Sequence, residues 1–151
     1  MATFRFRLDP VLRVRRAQMQ SAKSVLSDYL REDESLREAL ADTAANRTLA
    51  SQELQGGREA HTLELRALSG YLVHLQLRAA DLKRSVEKVA ALIHDQQKRV
   101  ADLHQAERLL MKLREEKYLE WEHAEASEIE QIGLEAWMAA HARKAKPYED
   151  E

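Results

Sequence analysis

Residues 65–103 read LRALSGYLVHLQLRAADLKRSVEKVAALIHDQQKRVADL, and the spacing within that run decides the fold. Stepping by threes and fours from Leu65 lands on Leu68, Leu72, Leu75, Ala79, Leu82, Val86, Val89, Ile93, Gln96, Val100 and Leu103, with only Gln96 polar. A 3–4 repeat keeps one stripe of a helix turned toward a partner helix in a left-handed supercoil. The stripe passes straight through Gly70, which places Gly70 inside the helix. A turn at Gly70 would make the two arms more nearly equal, but it would cut the seam.

Working upstream, Gly56-Gly57 is the strongest break, because two adjacent glycines cost a helix roughly 2 kcal/mol relative to alanine. The turn is therefore expected over about 55–62, from Gln55 to Thr62. Before it the same repeat runs through Leu8, Leu12, Arg15, Met19, Ala22, Leu26, Tyr29, Asp33, Leu36, Leu40, Thr43, Arg47, Ala50 and Leu54, and ten of these fourteen are apolar. Asp9-Pro10 reads as the start of this first helix, with Asp9 as N-cap and Pro10 at the first helical position. No proline follows until Pro147, where Arg143-Lys144-Ala145-Lys146 supplies the cationic last turn that a helix C-terminus favours. The expectation is an all-α chain: one domain over 1–151, a long antiparallel two-helix coiled-coil hairpin. Helix 1 covers about 10–54 and helix 2, the longer, about 63–144.

Composition agrees. A third of the 151 residues are charged, aromatics are 5%, and there are four glycines and two prolines. Such a mixture rich in strong helix formers marks long helices sharing a narrow seam rather than a thick core.

Downstream of Leu103 the repeat loosens. Leu110 stays in phase, but Glu107, Arg114 and Lys117 stand at seam positions, and a new apolar set begins with Tyr118, Trp121, Ile129 and Ile132. A stutter near 106–117 accounts for the change. Pairing outward from the turn sets Asp9 opposite a residue near Leu110. Roughly thirty residues are then left as a single helix of about 45–50 Å. That stretch is acidic from Glu115 to Glu135 yet carries Trp121, Ile129, Ile132 and Trp137, and large exposed apolar side chains on a lone helix point to a protein partner.

Chemistry finds no foothold. His61, His74, His94, His104, His123 and His141 include no i,i+4 pair, cysteine is absent, and there is neither a phosphate loop nor a nucleophile elbow. The acidic residues sit where Lys or Arg three or four positions away answers them, as Glu34 with Arg37. No catalytic residue, metal or cofactor is expected, and no small-molecule substrate. The formal net charge of −2 argues against a nucleic-acid binder. Arg5, Arg7, Arg13, Arg15 and Arg16 against Asp9 give the first sixteen residues a local +5 −1 = +4, interleaved with Phe4 and Phe6. That cluster reads first as a handle for an acidic protein surface and second as a nucleic-acid arm. Met1 to Leu8 lacks a signal-peptide run, and no stretch of about 18 apolar residues occurs, so a cytoplasmic location is expected.

The opening Phe4-x-Phe6-x-Leu8-x-Pro10-Val11-Leu12-x-Val14-Arg15 resembles the start of the flagellar export proteins called FliJ. Tyr71-Leu72-x-x-Leu75 and the run Glu130-Gln131-x-x-x-Glu135-Ala136-Trp137 with its basic end are similar too. The family's Asp-Glu pair near the C-terminus is Leu134-Glu135 here. The resemblance implies a non-enzymatic stalk of the flagellar type III export apparatus. Such a stalk docks into the hexameric export ATPase, links it to the membrane-embedded export gate, and handles export chaperones; it is peripheral to the inner membrane through these partners. It also implies an ATPase-facing terminal end with Arg13, Arg15, Arg16, Tyr118, Trp121, Ile132 and Trp137, and a gate patch at Tyr71, Leu75 and Leu82. Leu75 and Leu82 are equally seam positions, so Tyr71 is the better surface candidate. An injectisome stalk of the same type, or a coiled-coil chaperone gripping clients, is the alternative.

Overall fold

The computed structural model describes residues 3–57 and 61–144. Among them two helices, α1 (Asp9–Gly56) and α2 (Thr62–Lys144), pack against each other, and no strand is present. The fold class is the expected one, an antiparallel two-helix coiled coil whose second helix is the longer. No described helix is long and apolar enough to cross a membrane. Contacts gather into two units, one of Met1–Arg16 with Gln105–Glu151, the other Ala17–His104.

The helix ends shift slightly from the expected places. Leu12 donates its backbone N–H to the Leu8 carbonyl at 2.9 Å, so Leu8 rather than Asp9 holds the capping position and the helix opens at Asp9. The Asp9 carboxylate turns instead to Arg114, 3.5 Å away. At the other end α1 keeps Gly56 helical, two residues past the expected end at 54, and Gly57 lies outside. The His61 carbonyl accepts from Glu64 and Leu65, so His61 caps α2 at Thr62. Gly70 lies within α2, as the unbroken seam requires. The last turn carries His141, Arg143 and Lys144; Pro147, the expected terminator, falls outside the described residues.

In the unit Ala17–His104, every position of the 3–4 series from Leu65 to Leu103 is wholly or partly shielded from solvent. On the part of α1 within this unit the buried positions are all small: Ala22, Thr43 and Ala50. Small side chains there let α2 come close, and the bulkier Leu75 and Val89 are buried on α2. Polar seam positions find partners inside the protein. Thr43 donates its hydroxyl to the Ala39 carbonyl at 2.7 Å, and Gln96 donates its amide Nε2–H to the Ala22 carbonyl at 2.9 Å. Asp33 Oδ2 accepts from Arg37 at 2.8 Å, so Arg37 answers Asp33 and not Glu34. Asp33 Oδ1 is buried with no hydrogen-bond partner. Arg47 and Leu54 stand exposed although the repeat puts them on the seam. The result is a thin core in which few side chains reach the roughly 1.5–3 kcal/mol of a fully buried Leu or Val.

Candidate docking site

The terminal unit is built from residues that local periodicity leaves unexplained. From Thr3 to Leu8 exposure alternates: Phe4, Phe6 and Leu8 turn inward while Thr3, Arg5 and Arg7 face solvent. That period of two is an extended segment lying with one side on a surface. A backbone bond from Asp9 to the Phe6 carbonyl, 3.1 Å, folds it into α1. Phe6 and Leu12 are buried. Phe4 meets Tyr118 edge to face, with ring centroids 5.3 Å apart and planes at 88°. Its centroid also lies 6.0 Å from that of Trp121, and Tyr118 and Trp121 are 5.8 Å apart. Edge-to-face and tilted pairs of this kind place ring edges against the negative faces of their neighbours.

This arrangement corrects two expectations. Asp9 meets Arg114, one helical turn beyond the Leu110 region. Tyr118 and Trp121 do not begin a bare helix, because Phe4 packs against both rings, although Tyr118 stays 43% exposed. The polar seam residues also acquire a reason. Arg16 donates Nε–H to Glu107 Oε1 at 2.8 Å and Nη2–H to Met111 Sδ at 3.0 Å, while Arg114 answers Asp9. Glu107 and Arg114 are therefore seam positions filled by opposite charges from the chain's first turns. Ala106 and Leu113 are shielded alongside Glu107 and Leu110, so the shielded stripe widens here.

An open groove lies along this surface, lined by Phe4, Phe6, Leu8, Leu113 and Trp121, with Arg5, Arg7 and Lys117 as its charged members. Its floor is apolar and its rim cationic. Lys117 is also held by Glu120 at 2.6 Å. Arg13 and Arg15 are exposed on α1, and Arg16 is engaged by Glu107. From 126 to 144 every residue of α2 is exposed. Ile132 and Trp137 lie there, about 16 and 24 Å along the helix from Trp121, so the terminal-end residues form one cluster around Phe4 and a separate stretch beyond it. Trp137 stacks on His141 with centroids 4.0 Å apart, and His141 Nδ1 lies 3.2 Å from the Trp137 carbonyl. The sequence reading missed Phe4 and Phe6 as packing residues, although the Phe-x-Phe-x-Leu alternation carried the information.

In the other unit Tyr71 is exposed, Leu75 is buried in the seam, and Leu82 is partly shielded. Leu82 lines a shallow groove with His74, Leu77, Arg78, Asp81 and Ser85. Leu63, Val73 and Leu77, which the repeat leaves off the seam, are among the most exposed apolar residues of α2.

No family model, curated protein or solved structure matches this chain.

Proposed function

We propose that the chain is a non-enzymatic stalk of a flagellar type III export apparatus. Its terminal end docks into the ring of the hexameric export ATPase, and its shaft reaches the export gate. The observation that supports this reading is the pairing, in one unit, of an arginine-rimmed aromatic groove with a helix bare on all sides. A bare helix is slim enough to enter a ring's central hole, and the groove beside its base offers an apolar anchor point with a cationic rim. The resemblance at Phe4-x-Phe6-x-Leu8-x-Pro10 falls on the segment that builds the groove, which ties the family pattern to a packing role. Arg13, Arg15, Trp121 and Trp137 then face the ATPase, and Tyr71 offers surface toward the gate.

The test mixes the purified chain with the cognate export ATPase and follows hexamer formation and ATP hydrolysis. Association with a severalfold gain in hydrolysis is expected, weakened by Trp137→Ala and by Arg13→Glu with Arg15→Glu. Absence of both binding and stimulation would sink the reading.

A further inference from the structure

Beyond Trp121, steps of three and four run through Glu125, Ile129, Ile132, Ala136, Ala139 and Arg143. On an α-helix those residues share one face. Ile129 is 55% exposed and Ile132 60%, and every residue from 126 to 144 is open to solvent. The opposite side offers a poorer stripe, with Leu134 and Met138 set among Ser127, Gln131 and His141. We propose that the face from Glu125 to Arg143 pairs antiparallel with the same face of a second copy of this chain, about a two-fold axis at residue 134.

The order of residues along the face selects this occupant. About such an axis each residue meets the one equally far on the other side of position 134. Ile132 then meets Ala136, Ile129 meets Ala139, and Glu125 meets Arg143. Each bulky side chain falls on a small one and each charge on its opposite, and the symmetry makes every contact twice. A parallel pair in register instead sets Glu125 on Glu125 and Arg143 on Arg143, which repel. The whole contact lies within one continuous helix beyond Trp121, so it asks nothing of the shaft.

The wider charge distribution runs the same way. Residues 120–130 hold five glutamates and no lysine or arginine, whereas 131–144 hold Glu135 against Arg143 and Lys144, −1 +2 = +1. An antiparallel partner lays the basic end of each helix along the acidic part of the other. A uniformly acidic helix meets repulsion from the glutamates and a uniformly basic one from the last turn. The tail itself carries the complement of both.

Gly133 lies beside the axis. It has no positive φ, and a Cβ built there meets nothing within 4 Å, so the fold of one chain does not call for glycine. A second backbone close by gives the residue a use that offsets its cost inside a helix.

The overlap from Glu125 to Arg143 is about 27 Å long. One helix pair of that length buries less than a standard interface of about 1,600 Å², and a dissociation constant of roughly 10–100 µM is expected. The dimer uses the tail that the stalk reading gives to the ATPase, so docking there dissolves it.

Sedimentation of the full chain from about 1 to about 500 µM tests this without the ATPase, so its failure and the failure of the stalk reading are separate results. A monomer–dimer equilibrium that weakens with added salt is expected. Ile132→Glu, at an exposed position, should leave only monomer with the helical circular dichroism intact. Glu125→Arg alone and Arg143→Glu alone should each weaken the dimer about tenfold, because two attractive pairs become repulsive. Both changes in one chain should restore it. A chain monomeric throughout the range overturns the proposal. So does a dimer that survives Ile132→Glu, or one that the single charge reversals leave unchanged, as a parallel pair predicts.

Discussion

Residues 65–103 and 126–144 belong to the same helix and have similar apolar spacing, yet the first stretch is shielded at every seam position and the second at none. Propensity does not separate them; both are built mainly of strong helix formers, with alanine frequent in each. What separates them is supply. In the first, α1 presents Ala22, Thr43 and Ala50 at close range, and Leu75 and Val89 are buried. In the second, Ile129, Ile132 and Trp137 all stay more than half exposed, with only His141 of the same helix stacked on Trp137. Periodicity in a sequence states that a helix wants a neighbour. It does not state that the chain provides one.

The sharpest way to break this contrast is to truncate a side chain in each stretch. Leu75→Ala is expected to lower stability by about 2–4 kcal/mol, the usual range for a large-to-small change in a packed site. Ile132→Ala should stay within about 0.5 kcal/mol. Thermal melts followed at 222 nm read both, and an equal loss at the two sites would show that the tail is part of the cooperative fold. The two tryptophans give a finer version. Trp121→Ala removes a ring packed on Phe4 and Tyr118 and should lose about 1–2 kcal/mol, with Trp137→Ala near zero. Fluorescence should place Trp121 in the less polar surroundings, and identical emission from the single-tryptophan variants would erase the boundary drawn between them.

A gain is expected in the shielded stretch. Asp33→Leu removes a carboxylate oxygen that is buried without a partner and restores an apolar seam position, which should raise stability by about 1 kcal/mol. A melt at or below that of the parent chain would mean that Asp33 serves the fold in another way. The smallest effect belongs to the terminal ion pair. A double-mutant cycle on Asp9 and Arg114, 3.5 Å apart and both partly exposed, should give about 0.2–1 kcal/mol at low salt and less at high salt.

Much of the architecture was legible in the sequence, because a two-helix coiled coil writes its core as a local repeat. The seam from Leu65 to Leu103 needed no information from outside the helix, and Gly56-Gly57 located the turn to within two residues. The terminal end was less legible. Whether Asp9 meets Leu110 or Arg114 depends on the path of the connection, and one turn of slip leaves every helical pattern unchanged. The packing of Phe4 on Tyr118 and Trp121 joins residues more than a hundred positions apart, which no window on the sequence brings together. Charge offered the missing clue: Glu107 and Arg114 are defects in one helix only until Arg16 and Asp9 are placed beside them.

The amide of Gln96 carries a consequence of its own. Its partner is the main-chain oxygen of Ala22, accessible because alanine leaves the helix surface low at that point. Sliding α2 by one heptad would set the amide near Arg15 or Tyr29, whose longer side chains cover the carbonyls beneath them, and strand a polar group in the seam. The bond therefore acts as an indexing pin. Two long apolar stripes match almost as well when displaced by seven residues, and this hydrogen bond is made at only one of those settings.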